Sequence, residues 1–216
     1  WTAQNEPFEA RVRETAEQLA SGPDPFASLE DVRRAGAVVG LSQVLLKCFG
    51  RRPPDFYQGT FGWDLAMVDP DNRRSVDFAA RRALLESAQD ADPAALMADW
   101  TSGAIKMRLI IASLALRRER PSLFENGALE TVDLGMASPL IAFRCVDGAE
   151  SALAVIAPRP LPLLGGEGLG LALPESCRIP LDRPVTCRIS GTLFTGEASE
   201  LSRHFARFPL LLAAAG

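Results

Sequence analysis

Residues 53–78 read PPDFYQGTFGWDLAMVDPDNRRSVDF, and the rest of the chain is understood outward from them. Pro53 and Pro54 lack amide donors and fix φ, so no helix runs through them. Asp55-Phe56-Tyr57 is a short β-prone run ending at Gln58-Gly59-Thr60. A polar loop follows, with Trp63-Asp64 and then Asp69-Pro70-Asp71-Asn72-Arg73-Arg74, before a helical pattern resumes near Asp77. A buried strand that delivers a polar loop from its C-terminal end is the βα unit from which barrel enzymes build sites. Asp69 to Arg74 bring carboxylates, a carboxamide and guanidiniums together, the mixture of acceptors and donors that sugar hydroxyls need. The same residues are also strong turn chemistry.

The composition bounds what surrounds this stretch. With 216 residues, 47% hydrophobic and 23% charged, the chain can bury a real core as one domain or two small ones. A formal charge of −4 argues against a nucleic-acid or anionic-membrane footprint. Basic pairs such as Arg33-Arg34, Arg73-Arg74 and Arg117-Arg118 are interleaved with acids and read as solvated surface. No signal peptide is visible and no apolar run reaches the ~20 residues of a membrane span, so a cytoplasmic protein is expected. Cys48, Cys145, Cys177 and Cys187 show no metal-finger or CxxC spacing and read as reduced core thiols. Trp1 in place of Met hints that the chain starts inside a longer protein.

Helical spacing dominates the first part. Phe8, Val12, Ala16 and Leu19 recur on one face, with Asn5 as cap and Gly22-Pro23-Asp24-Pro25 as stop. Ser28 and Asp31 resemble a capping box opening a helix to about Lys47, whose apolar residues spread to all faces, as in a buried helix. Phe78, Leu84 and Leu85 mark a further helix, and Asp92-Pro93 starts a short one. Ile105, Leu109, Ala112 and Leu116 form the clearest amphipathic helix, ended by Arg117, Arg118, Arg120 and Pro121. Beyond a boundary at Phe124–Asn126 come short β-prone runs: 129–134, 140–146, 152–156, 169–173 and 185–189. Residues 200–206 read as one short helix, and Pro209-Leu210-Leu211-Leu212 as a buried terminal strand.

Three further features carry weaker chemistry. Trp63 is a candidate apolar platform for a sugar ring, with Tyr57 and Trp100 behind it; an aromatic in such a protein can equally be core. Gly165-Gly166-Glu167-Gly168-Leu169-Gly170 has the wrong spacing and context for a dinucleotide fingerprint and reads as a flexible loop. His204 is the only histidine, so no multi-histidine zinc site exists, and without a G-x-S-x-G elbow it is expected to be structural.

The motifs resemble those of malto-oligosyltrehalose synthase, in the α-amylase superfamily. Those that carry the resemblance are Pro54-Asp55-Phe56-Tyr57-Gln58-Gly59-Thr60, Trp63-Asp64 and Val68-Asp69-Pro70-Asp71-Asn72-Arg73-Arg74, continued by Asp77-Phe78-Ala79-Ala80-Arg81. Gly40-Leu41, Leu45-Leu46-Lys47, residues 114–121, Leu123-Phe124 and Phe208-Pro209 extend it over most of the chain. Trp100 to Lys106 match a family pattern of Trp, Gly, Ile and Lys. Three places depart from the pattern: Arg51-Arg52-Pro53 replaces an apolar Pro-Gly-Val, Phe61 replaces a glutamate, and Ser75 replaces a proline.

The resemblance implies an α+β fragment: residues 1–124 as helices with the last βα unit of a (β/α)8 barrel, and 125–216 as a small antiparallel β domain. It implies that the whole enzyme turns the reducing-end α-1,4 bond of a malto-oligosaccharide into an α,α-1,1 bond. The superfamily's nucleophile, acid/base and third carboxylate sit on earlier barrel strands, so no catalytic residue is expected here. A full barrel takes about 250 residues, more than this chain has. Trp63, Asp71, Asn72, Arg73 and Lys106 are the implied substrate-binding residues, with no metal and no cofactor. The implied partners are a malto-oligosaccharide and the N-terminal part of the same enzyme. An α-glucan hydrolase portion and a non-catalytic glucan-binding or docking module are the alternatives.

Overall fold

The computed structural model describes residues 5–22, 29–65, 75–166 and 168–215. The chain divides into two compact units, Trp1–Arg33 and Arg34–Gly216.

The first unit holds helix α1 (Glu6–Ser21) and the start of α2 (Glu30–Phe49). Asn5 caps α1 as its sequence predicts, its side chain accepting from the Phe8 amide at 3.1 Å. Phe8, Val12 and Leu19 remain exposed, so the apolar stripe of α1 forms without being buried. Ser28, the expected cap of α2, lies outside the described residues.

In the second unit α2 buries Val38, Leu41, Leu45, Cys48 and Phe49. Helix α3 (Phe78–Gln89) is capped by Asp77, which accepts from the Ala80 amide at 2.9 Å. Helix α4 (Pro93–Ala98) begins with proline at N1, although Asp92 makes no side-chain cap bond. A single 3-10 turn, Trp100–Ser102, leads into α5 (Ala104–Glu119). Ile105, Leu109, Ala112 and Leu116 are buried there as their spacing predicts. Pro121 opens the short α6 (Pro121–Glu125), where the helical part ends.

The remainder is built on strands β1 (Ala128–Val132), β2 (Ile141–Asp147), β3 (Glu150–Ile156), β4 (Val185–Cys187), β5 (Leu193–Phe194) and β6 (Leu211–Ala214), with helix α7 (Ala198–Phe205) before β6. They form one sheet in the order β1-β2-β3-β6-β4-β5, every neighbouring pair antiparallel. Asp147 pairs with Glu150 across a two-residue turn, where Gly148 takes φ +56. The last strand sits mid-sheet with all four residues buried, as expected of a continuous apolar run. Cys145 on β2 donates its Sγ–H to the Leu123 carbonyl at 2.9 Å, which places α6 on that face. The four cysteines are free thiols and buried.

Three expectations change. Asp55–Tyr57 forms no strand and has no ladder partner among the described residues. The run 169–173 makes only the bridge Leu164–Leu171. The Leu171 amide is instead taken by the Phe205 carbonyl at 2.8 Å. The glycine segment around it, expected as a loop, is tied at two points on either side of residue 167, which lies outside the described residues: Arg34 donates to the Gly166 and Gly168 carbonyls. Glycine is required at 168 and 170, since a Cβ would stand 2.7 Å from the Met97 oxygen and 2.5 Å from the Ala206 oxygen.

Candidate functional site

The site grows from a reversal of the chain. The Thr60 amide and Oγ1 both donate to the Tyr57 carbonyl, at 3.2 and 2.9 Å. The two residues between, Gln58 (φ 53) and Gly59 (φ 71), both have positive φ. Glycine tolerates that region freely; for Gln58 it costs ~1–2 kcal/mol, which the surrounding contacts must offset.

Those contacts come from the residues just before and within α5. The Lys106 ammonium donates to the Thr60 carbonyl at 2.8 Å and to the Gly62 carbonyl at 2.7 Å. It lies 5.7 Å from the centre of the Trp63 ring, and the Trp63 indole N–H donates to the Trp100 carbonyl at 2.7 Å. Gly103 (φ +85) admits the chain here, since a Cβ would come within 3.0 Å of the Trp63 nitrogen. Trp63 is half-buried and packs against the core. Burial lowers the Lys106 pKa, Asp64 opposes that shift, and the like charges of Arg81 and Lys47 add to it.

A cationic group thus surrounds the turn. Arg81 lies against Gly59 and Gly62, where added Cβ atoms would stand 3.3 and 3.2 Å from its guanidinium. Its Nε is buried without a hydrogen-bond partner among the described residues. Lys47 places its ammonium 4.4 Å above the Phe56 ring, and Phe56 packs on Phe61 with centroids 5.8 Å apart. Phe61 therefore extends an apolar patch at the position where the resembled family carries a carboxylate.

Of the predicted site residues, Trp63 and Lys106 come together on one turn. Asp71, Asn72 and Arg73 belong to the segment 66–74, which lies outside the described residues. Lys106 has two of its three donors on backbone carbonyls, so its visible work is holding the turn. Arg81, in the pair Arg81-Arg82, reads in sequence as a solvated face, and Lys47 as part of a helical motif, so neither is expected at this turn. The closely spaced Gly59 and Gly62 were the signal that a large side chain approaches there. Among the described residues no group of three or more His, Cys, Asp or Glu could hold a metal ion.

His204 is buried and bonded through Nε2 to the Leu210 carbonyl at 2.6 Å, with Phe194 and Phe205 edge-on around it. It is structural. No helix is long and apolar enough to cross a membrane among the described residues.

No protein-family model matches the chain. The fold superposes over 99% of the chain on solved maltooligosyl trehalose synthases. The Arthrobacter ramosus enzyme is 30% identical with a TM-score of 0.74, and a second synthase is 25% identical with a TM-score of 0.71. A Sulfolobus tokodaii hypothetical maltooligosyl trehalose synthase, 20% identical with a TM-score of 0.67, shares the fold. Curated proteins from two Mycobacterium tuberculosis strains, provisionally named maltooligosyl trehalose synthase, are 39% identical over 93 residues. The resemblance read from the motifs is thereby upheld. The chain spans 27% of the Arthrobacter ramosus enzyme, and its matched segment 10% of the curated relatives.

Proposed function

We propose that this chain is the C-terminal portion of a maltooligosyl trehalose synthase. Residues 1–124 would be the end of its catalytic barrel with flanking helices, and 125–216 a β domain that supports the barrel. The observation that carries the reading is the match over 99% of the chain to a 30%-identical synthase. The whole enzyme would perform an intramolecular transglucosylation, converting the reducing-end α-1,4 bond of a malto-oligosaccharide to α,α-1,1. Enclosing the released glucose against water favours transfer over hydrolysis.

In this reading the chain supplies walls and supports, and the reacting carboxylates come from the preceding part. Trp63 presents the exposed part of its ring to a glucose unit, and Asp71, Asn72 and Arg73 offer donors and acceptors on the acceptor side. Lys106, by fixing the Thr60 and Gly62 carbonyls, aims that loop. The run Asp55–Tyr57 is the last barrel strand, paired once its neighbours are present.

The test is the mass of the protein in its source cells, detected with an antibody to this chain. A species several hundred residues larger that releases trehalose from maltopentaose supports the reading. A species of 23.2 kDa overturns it in favour of a stand-alone glucan-binding or docking module. Phe61 and the absence of catalytic carboxylates favour that second reading for the isolated chain.

A further inference from the structure

A cleft of about 330 Å³ opens on the sheet face opposite α6, far in sequence from the Trp63 turn. Its floor is the side of the sheet that carries Val132, Val146 and Leu153, matched across the ladder as Glu130–Arg144–Leu153 and Val146–Ser151. The segment Pro180–Arg183 forms its wall. One side chain ties wall to floor: Arg144 donates to Asp182 at 2.7 Å and to Glu130 at 3.2 Å. Arg183 closes the end by donating to the Ala149 carbonyl and, at 3.3 Å, to the Ser151 hydroxyl.

Charge and shape together select a ligand class. Two guanidiniums and two carboxylates balance, so the cleft carries no net charge that would favour an ion. Each carboxylate accepts from Arg144 through one oxygen, and its other oxygen meets no donor among the described residues, leaving it for a ligand hydroxyl. Arg183 offers further N–H donors beside them. Directly below lies an apolar floor of branched side chains. A pyranose ring has this pattern: hydroxyls around its edge and a C–H face. The volume lies at the small end of ligand sites, ~300–1,000 Å³, and suits one ring or two.

We propose that this cleft is a second carbohydrate site, binding a glucosyl unit of a neutral glucan independently of the Trp63 turn. The choice of glucan over another neutral polyol rests on the function proposed above; the class of ligand rests on the cleft alone. The site holds a strand of substrate on the β domain while another part occupies the barrel end.

Equilibrium dialysis of labelled maltotriose against the chain tests this, because it counts sites whatever the state of association. Two sites per chain are expected. The double variant Glu130→Gln/Arg183→Gln should weaken one at least tenfold, and Trp63→Ala the other. Asp182→Asn, on the opposite wall, should repeat the first loss, with unchanged far-UV circular dichroism showing that the sheet persists. A single site removed only by Trp63→Ala, or no binding at all, overturns the proposal. A single site removed only by the sheet variants supports it and instead overturns the role of Trp63.

Discussion

Lys106 shows how a residue's neighbours redefine it. As a helical lysine it has no evident task, and the motif likeness makes it an expected substrate contact. The structure binds its ammonium to the Thr60 and Gly62 carbonyls, in a half-buried place where burial lowers its pKa. Hydrogen bonds to a charged group contribute ~1.5–3 kcal/mol each at full burial, and less when partly exposed. Lys106→Met should therefore lower stability by about 1–3 kcal/mol, read as a shifted urea midpoint at constant slope. An unchanged midpoint means the two bonds are worth nothing net. His204 gives a prediction of opposite character. Burial lowers its pKa from 6.5, and the Leu210 bond only partly opposes this. The unfolded chain therefore holds more protons than the folded one between the lowered value and 6.5. Stability should be full above that window and fall as the pH drops below 6.5. Comparing unfolding at pH 7.5 and 5.5 in the native chain and in His204→Gln isolates this contribution; equal pH sensitivity in both would rule it out.

At the scale of elements, α5 organises the helical part, and its two ends act differently. At its start, Gly103 allows Trp63 to pack where a Cβ would meet the chain, in a backbone region with φ +85. Gly103→Ala combines that clash with a left-handed penalty of ~1–2 kcal/mol. A fall of at least that size is expected in thermal or urea unfolding, and a neutral result would show that the turn shifts freely. Near its end, Arg117 donates to the Cys48 and Gly50 carbonyls at 3.0 and 2.5 Å and to the Arg51 carbonyl at 3.2 Å, while its guanidinium covers the Phe124 ring at 4.6 Å. It caps the C-terminus of α2, whose last carbonyls lack helical partners. A lysine cannot reproduce that fork, so Arg117→Lys should cost ~1–2 kcal/mol despite keeping the charge. Such long-range ties explain what sequence could reveal. The buried face of α5, the cap of α1, the β2–β3 hairpin and the buried final strand follow from local spacing and turn residues. The mid-sheet place of β6, the two-residue β5 and the Arg144 tie to Asp182 do not. They depend on partners far away in the chain. Lys47 and Arg81 reach the turn through the same kind of distant partner, whereas Trp63 and Lys106 are singled out in sequence by motif likeness.

For the whole molecule, the decisive question is what covers its exposed apolar side chains. In the larger unit, Tyr57 is 63% exposed, Leu65 92% and Phe78 69%, all from the stretch that opens the candidate site. Isolated apolar residues on a surface are ordinary, but several from one segment are not. Asp55–Tyr57, without ladder partners among the described residues, also leaves amide and carbonyl groups that another chain could pair with. In the reading proposed above, earlier barrel strands satisfy both needs. The isolated chain has neither, so it should associate with itself as concentration rises. Sedimentation velocity across a hundredfold range should show species heavier than 23.2 kDa, growing with concentration. The triple variant Tyr57→Ser/Leu65→Ser/Phe78→Ser should shift that distribution back toward the monomer while leaving the sheet's circular dichroism unchanged. Association that ignores these substitutions would place the sticky surface elsewhere. A clean monomer of the native chain at every concentration would instead mean that residues 53–78 are covered within the chain itself, and the case for a missing barrel beside them would fall.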